Sequence, residues 1–560
     1  MGQPLDRKPE SRRSRPTPWI QLLALVVTLF AASHAWTKGP YTQHVDEIFL
    51  LKASHKMLQT GNFDPGWYRY GSVSSHICYF GEALGYLDHA RHSSWTAVSD
   101  LPKSVVPLMR PSRLGSWPRL LFALLGGLTV WLAGLCANRL RPGSCAGPVT
   151  IVLLASQLTF QEQWFGYLNV DIIASFFAMA ATFAHLSAHR QASWLRASAL
   201  PAALWGMAAA TKYPMGVGLL SVVATDLFRS RRHALIHALG SLGVAVVAFL
   251  VLMPFALRNS PQFLSDLAYE MNHYAKGHLD FSSRPGVEAG WHHIKAWLLP
   301  FGPAIVAVLL GIVVALRRYP SRLFTLLGPS LALITLLSLQ AVNFTRNSLL
   351  LSYLFAILAG VGIAAIYPFL IEFLSKTSFA KRFWQIGRLK VAWIQHSVVV
   401  LAFSCVFLGP TWRGWMHLVQ GHQESRDDLQ LQLAELPRDA KVAIPQPDYL
   451  ASDRVSLVNY DPTSKSALEQ LAQSQATHAV VPTNWSRARF RGEAPIKQAV
   501  TNAQSLQIPG KPIWRGGVDE TWVHWPFLPR SNPKLELVVL DRSQLTKAPS
   551  PASSSPITGQ

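Results

Sequence analysis

The chain has 560 residues, half of them hydrophobic and only 14% charged, too apolar for a string of soluble domains, so its length is spent on membrane spans. The formal net charge of +21 does not mark a nucleic-acid-binding protein. Lys and Arg sit in short clusters between apolar runs, with no basic helix interleaved with stacking aromatics, which is the pattern of cytoplasmic loops.

Residues 1–17 form a basic segment, and no small-residue cleavage site separates the apolar run that follows from the polar stretch at Thr37. That run reads as an uncleaved first span rather than a removed signal peptide. A helix crosses about 30 Å of hydrocarbon with roughly 20 apolar residues, and with fewer where protein shields it. Eleven segments qualify: 18–36, 118–138, 147–160, 168–188, 198–211, 214–228, 234–256, 295–316, 323–341, 348–373 and 391–410. Only Lys212-Tyr213-Pro214 separates the fifth from the sixth.

Basic residues test the count, since they should mark every second loop. Arg12, Arg13 and Arg15 precede the first span; Arg139 and Arg141, Arg190 and Arg196, Arg229, Arg231 and Arg232, and Arg317, Arg318 and Arg322 follow at alternate turns. Lys376, Lys381, Arg382, Arg388 and Lys390 complete the series before the last span. This predicts a multi-pass membrane domain over 18–410 with a cytoplasmic N-terminus. The long loops 37–117 and 257–294 and the region 411–545 then fall outside, and long loops on one face suggest a site there.

In the C-terminal region the pattern changes. Lys441 to Ile444, Val455 to Asn459, His478 to Val481 and Leu535 to Leu540 read as short strands, with helical patterns at 427–436 and 463–474, a small α/β domain without a Gly-rich phosphate loop. The Pro- and Ser-rich tail 546–560 has the composition of a disordered segment. Cys78, Cys136, Cys145 and Cys405 lack metal-like spacing and read as structural thiols without a disulfide.

After the first span comes His44-Val-Asp46-Glu47, opening a stretch with the apolar pattern of a short amphipathic helix that stops at Gly61. Two carboxylates there suit the helix dipole, and a carboxylate held at the bilayer boundary can equally act as a general base on a hydroxyl. In the loop helix Phe263 to Gly277, Asp266, Glu270 and His273 share one face at i, i+4 and i+7. Such a face can bind a divalent metal or serve as a hydrogen-bonded polar surface.

The Asp46-Glu47 run resembles the first-loop motif of the GT-C superfamily. It is most similar to the protein O-mannosyltransferase-like branch, glycosyltransferase family 39, which includes the aminoarabinose transferases of lipid A. Further matches follow in order: Arg119 leading the second span, Tyr167-Leu-Asn-Val-Asp171 opening the fourth, Ala210-Thr211-Lys212-Tyr213 at a helix break, and Phe344-Thr-Arg346-Asn347 before the tenth. Family members usually carry a Pro-rich segment such as Tyr-Pro-Pro or Lys-Pro in the first loop, where this chain has Tyr70-Gly71-Ser72.

The resemblance implies an all-α GT-C membrane domain of about eleven transmembrane helices with a small external α/β domain. It implies Asp46 as the catalytic base, Glu47 beside it and Asp171 as a second acid, which can instead cap its helix. Lys212 and Arg346, with Arg119 in a lesser part, are the cations expected at the donor phosphate. Salt bridges or snorkelling are the alternative reading for them. Glu270, His273 and His278 fall in a loop where an acceptor or donor-sugar contact is expected.

The implied reaction transfers a sugar, with inversion, from a polyprenyl-phosphate donor to a lipid, glycan or protein acceptor. No cofactor is required, because a monophosphate leaving group needs no metal clamp, although a divalent metal stays open. Among membrane locations, the branch and the cysteine pattern favour the bacterial inner membrane. A transporter or lipid flippase would also bury ionisable residues among spans, but the acids here sit at helix ends and no internal repeat is evident. A third reading makes the spans a platform for the C-terminal domain.

Overall fold

A computed structural model gives the architecture for residues 18–37, 45–90, 115–188, 192–229, 233–277, 283–376, 425–445, 455–462, 464–482, 501–502, 505–516, 523–524, 528–529 and 535–545. The membrane part begins with α1 (Pro18–Thr37), α2 (Val45–Thr60), α3 (Val73–Ala90) and α4 (Ser116–Leu140). It continues through α5 (Ala146–Ser156), α6 (Leu158–Phe165), α7 (Val170–Ser187), α8 (Leu200–Thr211), α9 (Leu219–Arg229) and α10 (Ala234–Leu252). The rest is α11 (Phe255–Arg258), α12 (Ser260–Lys276), α13 (Val287–Leu298), α14 (Ile305–Arg318), α15 (Pro320–Ser338) and α16 (Leu350–Lys376).

Among the described residues seven helices are long and apolar enough to cross a membrane. They lie in α1, α4, α7, α10, the continuous α13 to α14 stretch, α15 and α16. One of the expected spans is broken in the structure and two part where the sequence separates them. The segment 147–160 breaks at Gln157, whose extended backbone (φ −81°, ψ 115°) separates α5 from α6. The stretches 198–211 and 214–228 part at Lys212, also extended (φ −151°, ψ 113°). The eleventh span, 391–410, lies outside the described residues, as does the tail 546–560.

The bundle is built on close helix approach. A Cβ on Gly311 of α14 would meet the carbonyl oxygen of Leu358 of α16 at 1.9 Å, so only glycine lets these helices touch, the way helices pack where water cannot drive them together. Large apolar side chains on α10, such as Leu235, Ile236 and Val251, are more than 60% exposed, which suits a surface solvated by lipid tails.

The described C-terminal strands are β1 (Lys441–Ile444), β2 (Ser456–Asn459), β3 (His478–Pro482), β4 (Gly510–Gly516), β5 (Val523–His524), β6 (Leu528–Pro529) and β7 (Leu535–Leu540); β5 pairs with β6, and the others form a five-stranded mixed sheet in the order β2-β1-β3-β7-β4. Strand β1 runs parallel to β2 and β3, while β7 runs antiparallel to β3 and to β4. The four expected strands are present. Strand β4 has no clear signal in the sequence because Pro512 interrupts it at an irregularity in its register with β7. Helices Ser425–Glu435 and Ala467–Gln473 belong to the two apolar layers that cover the sheet. Ile48 of α2 packs against the first of them, which ties the sheet domain to the helix carrying the two acids.

Candidate functional site

Both acids of α2 stand in its first turn, yet they have separate surroundings. Glu47 accepts two guanidinium N–H bonds from Arg119 of α4, at 2.7 and 2.8 Å. Its Oε1 also accepts the Leu168 N–H at 2.6 Å. With side-chain exposures of 0% for Glu47 and 3% for Arg119, this bidentate pair pins α2 to α4 and to the segment leading into α7. Asp46 keeps 18% of its side chain exposed. Its Oδ2 lies 2.5 Å from Nη1 of Arg346 and accepts from the Tyr70 hydroxyl at 3.4 Å.

Asp171 begins α7 but does not cap it. The cap is Asn169, whose side-chain oxygen accepts the Asp171 N–H at 2.9 Å. The Asp171 carboxylate, fully buried, takes the Lys212 ammonium in a short ion pair. Lys212 stands where α8 ends, and it also donates to Oδ1 of Asn347 at 2.7 Å. The Tyr274 hydroxyl reaches the same oxygen at 3.4 Å. Since Asn347 follows Arg346 in the turn Thr345–Ser348 ahead of α16, an unbroken run of contacts links Asp46, Arg346, Asn347, Lys212 and Asp171. Four stretches far apart in sequence thus meet at one end of the bundle.

The first loop closes over this end. A Cβ on Gly71 would come within 1.7 Å of the Ala210 carbonyl oxygen, and the Gly71 N–H donates to the Thr211 oxygen at 3.1 Å. From the other side of the break, the Tyr213 hydroxyl donates to the Tyr68 carbonyl oxygen at 2.5 Å. Tyr70-Gly71-Ser72, found where a Pro-rich segment was expected, is therefore the stretch that docks on the Lys212 break.

Electrostatics follow from this packing. Burial and then the nearby Asp46 carboxylate push the Tyr70 hydroxyl well above its ordinary pKa. For Arg346, burial opposes the charge, but Asp46 and then Tyr70 and Tyr167 outweigh it and hold the guanidinium well above its ordinary value. Burial pushes Glu270 up to about 7, with Arg69 and then Lys212 pulling it part of the way back.

The face of α12 divides its work. Asp266 accepts the Tyr68 N–H at 2.7 Å and the Gln262 amide at 2.9 Å, a brace for the first loop. Glu270 lies in the field of Lys212, Asp46 and Arg346. His273 stacks on Tyr269 with ring centroids 6.3 Å apart and meets Tyr274 edge-on. Among the described residues no group of three or more His, Cys, Asp or Glu is set to hold a metal. His278 lies outside the described residues.

Of the residues singled out in the sequence, Asp46, Arg346, Lys212 and Asp171 come together directly. Glu270 is coupled to them through its charge. Arg119, grouped there with the phosphate-binding cations, is instead committed to Glu47. Asn347, Tyr70, Tyr274 and Arg69 join the site without having been singled out. Asn347 had a usable signal, being next to Arg346, while the tyrosines and Arg69 looked like ordinary loop residues.

Bundle, sheet domain and end-on polar cluster define a multi-pass membrane protein of a recognised fold. No protein-family model matches the sequence, and no curated protein matches it either. The fold is similar to that of ArnT from Cupriavidus metallidurans bound to undecaprenyl phosphate, with a TM-score of 0.52 and 16% identity over 94% of this chain and 99% of that one. It is equally similar to ArnT from the same organism in the apo state, with a TM-score of 0.53 and 16% identity over 93% and 98% of the two chains. The ArnT-like fold expected from the ordered motifs is thereby borne out.

Proposed function

We propose that the chain is a GT-C membrane glycosyltransferase of the family 39 branch, moving a sugar from a polyprenyl-phosphate donor to an acceptor hydroxyl on the non-cytoplasmic face. The observation that carries this is the meeting of Asp46, Arg346, Lys212 and Asp171 at one end of the bundle. A protein of the same fold binds undecaprenyl phosphate, which supports a lipid-phosphate carrier. In this reading the site faces the periplasm of a bacterial inner membrane, with the N-terminus in the cytoplasm and the sheet domain outside.

Asp46 is the base, because it is the acid of the pair that keeps exposure and is not locked into a buried bidentate bond. It accepts the proton of the acceptor hydroxyl as that oxygen attacks the anomeric carbon. The carbon–oxygen bond to phosphate breaks on the opposite face, its electron pair leaves with the phosphate, and the configuration inverts. Arg346 and Lys212 share their charge with the phosphate as it gains negative charge, and one such fixed donor is commonly worth about 3 kcal/mol. Asp171 and Asn347 aim Lys212; Glu47 and Arg119 fix the pitch of α2. Glu270 and His273, on α12, are the proposed contacts to the sugar or acceptor. A monophosphate leaving group needs no metal to clamp it, and no cofactor is required.

The test is transfer of label from radioactive polyprenyl-phosphate sugars by purified protein, wild type against Asp46→Asn. Transfer lost in the variant supports the reading, and full activity removes Asp46 as base. Movement of label across a vesicle membrane without transfer makes the chain a transporter or flippase.

A further inference from the structure

The turn Thr345–Ser348 brings two groups to the site, Arg346 to Asp46 and Asn347 to Lys212. A single helical turn is not stable by itself and takes its shape from what packs on it. Here the support is α13, which contributes none of the residues of the charged cluster. Nε1–H of Trp297 donates to the Thr345 carbonyl oxygen at 3.1 Å and to the Ser348 hydroxyl oxygen at 3.0 Å. The Ser348 hydroxyl donates to the Thr345 oxygen at 3.0 Å, and Nδ1 of His293 lies 3.0 Å from the same hydroxyl oxygen. His293, Trp297 and Ser348 are all fully buried.

A hydroxyl has one proton and two lone pairs. The Ser348 proton goes to Thr345 and one lone pair takes the indole N–H, so His293 fills the last place as a donor, with its proton on Nδ1. Among the described residues, Nε2 of the ring is buried with no hydrogen-bond partner. A leucine in this place would avoid the cost of that stranded nitrogen, so packing alone does not account for a histidine. The one hydrogen bond the ring makes among the described residues is aimed at the turn that carries Arg346.

We propose that His293 is a positioning residue of the site: by its hydrogen bond to Ser348 it fixes the turn on which Arg346 and Asn347 stand, and with it the approach of Arg346 to Asp46. This rests on the glycosyltransferase reading above and extends the site to α13. The ring acts only through the turn. Without its hydrogen bond the buried Ser348 oxygen lacks a donor, the turn tips, and Arg346 is drawn from Asp46. Turnover then falls, since the guanidinium no longer stands where the phosphate gains charge. The Asp46 carboxylate also loses the cation that favours its charged form, so it takes up its proton at higher pH. Around Asp46 stand Tyr70 from the first loop, Tyr167 ahead of α7, Lys212 at the helix break and Glu270 on α12. Its neighbour Glu47 is paired with Arg119. Arg346, at 2.5 Å, is the charged partner that the turn itself carries.

The test is steady-state transfer by the full chain in detergent, with radioactive polyprenyl-phosphate sugar as donor, followed over pH. His293→Ala is expected to lower kcat roughly tenfold to a hundredfold, the scale for a group displaced by about 1 Å. Donor KM should change by less than about threefold, because the loss falls on the transition state. The acidic limb of the kcat profile should move to higher pH. His293→Asn, whose amide stands at the place of Nδ1, should restore most of the turnover and the wild-type limb; His293→Gln, whose amide lies further out, and His293→Leu should not. Ser348→Ala breaks the same contact from the turn and should reproduce the limb shift, which keeps the proposal testable where His293→Ala folds poorly. His293→Ala and Ser348→Ala combined should cost no more than the worse single change. An unmoved limb in both alanine variants, or an asparagine variant no better than alanine, overturns the proposal and leaves the donor reading standing. Lower turnover that only tracks a lower thermal midpoint, with the limb in place, makes His293 a packing residue and overturns it too. A wild type that transfers no sugar overturns the glycosyltransferase reading, and the proposal with it.

Discussion

Asp46 of α2 and Arg346, in the turn before α16, are joined by an ion pair of 2.5 Å across the whole membrane domain in sequence, while Glu47, the very next residue, turns to Arg119 instead. Adjacent acids in the first turn of one helix point about 100° apart, which lets one be structural and the other chemical. Asp46→Asn should therefore lower turnover by about 10²–10⁴-fold, the range for a lost general base, and leave the thermal midpoint near that of wild type. Glu47→Gln should do the reverse first: it strands the buried Arg119 charge at a cost of about 3–5 kcal/mol. Turnover and thermal unfolding measured on both variants separate the roles, and equal midpoints would remove the distinction.

Lys212 and Asp171 form a buried pair whose members also meet Asn347 and the helix cap. Removing one partner leaves an uncompensated charge, while removing both leaves none, so their effects on stability should not add. Lys212→Met and Asp171→Asn are each expected to lower the thermal midpoint, and the double variant should be more stable than the sum of the singles predicts. Transfer should be lost in every variant lacking Lys212. Additive losses in unfolding experiments would show that the two side chains do not interact.

How far this site could be read from the sequence depends on what each residue's neighbours are. Asp46, Lys212 and Arg346 were legible because charged residues at helix ends, outside the basic clusters, have no other ready explanation. That Arg119 belongs to Glu47 was not legible, since the pairing depends on how α4 lies against α2. Arg69 and Tyr70 became part of the site only through the docking of the first loop on the Lys212 break. Spans were legible where apolar runs are uninterrupted, as in α4 and α16. One was overcounted in length where a single extended residue, Gln157, ends a helix that hydropathy would continue, whereas the break at Lys212 was legible in Lys212-Tyr213-Pro214.

A second buried cluster fastens α2 to α3. Ser54 donates to Oε1 of Glu82 at 2.6 Å, and Nδ1 of His55 lies 3.6 Å from Oε2. Burial raises the Glu82 pKa, with His55 and Ser54 opposing it. A raised folded-state pKa means that the fold favours the protonated acid, so the contribution is present in full below the ordinary value of 4.5 and is lost as pH rises through the raised value. Glu82→Gln keeps the shape without the titration. Thermal midpoints measured over that rise should fall for wild type and stay flatter for the variant, and parallel curves would show that Glu82 does not titrate there.

The close approach of the first loop to the α8 break gives the most local test of the site's architecture. At Gly71 a Cβ would stand 1.7 Å from the Ala210 carbonyl oxygen and 2.8 Å from the Thr211 nitrogen, both backbone atoms that cannot swing aside. Gly71→Ala must therefore lift the loop off the break, taking Tyr70 from Asp46 and loosening the hydrogen bond between Gly71 and Thr211. Transfer should fall by an order of magnitude or more, because misplacing reacting groups by about 1 Å can cost roughly 10²-fold. Gly243, inside α10, is the matched control: nothing lies within 4 Å of its Cβ position. There alanine should be neutral or stabilise the helix by about 0.5–1 kcal/mol. Wild-type transfer in Gly71→Ala would show that the loop does not need this contact, and the placement of Tyr70 and Arg69 beside the site would fall with it.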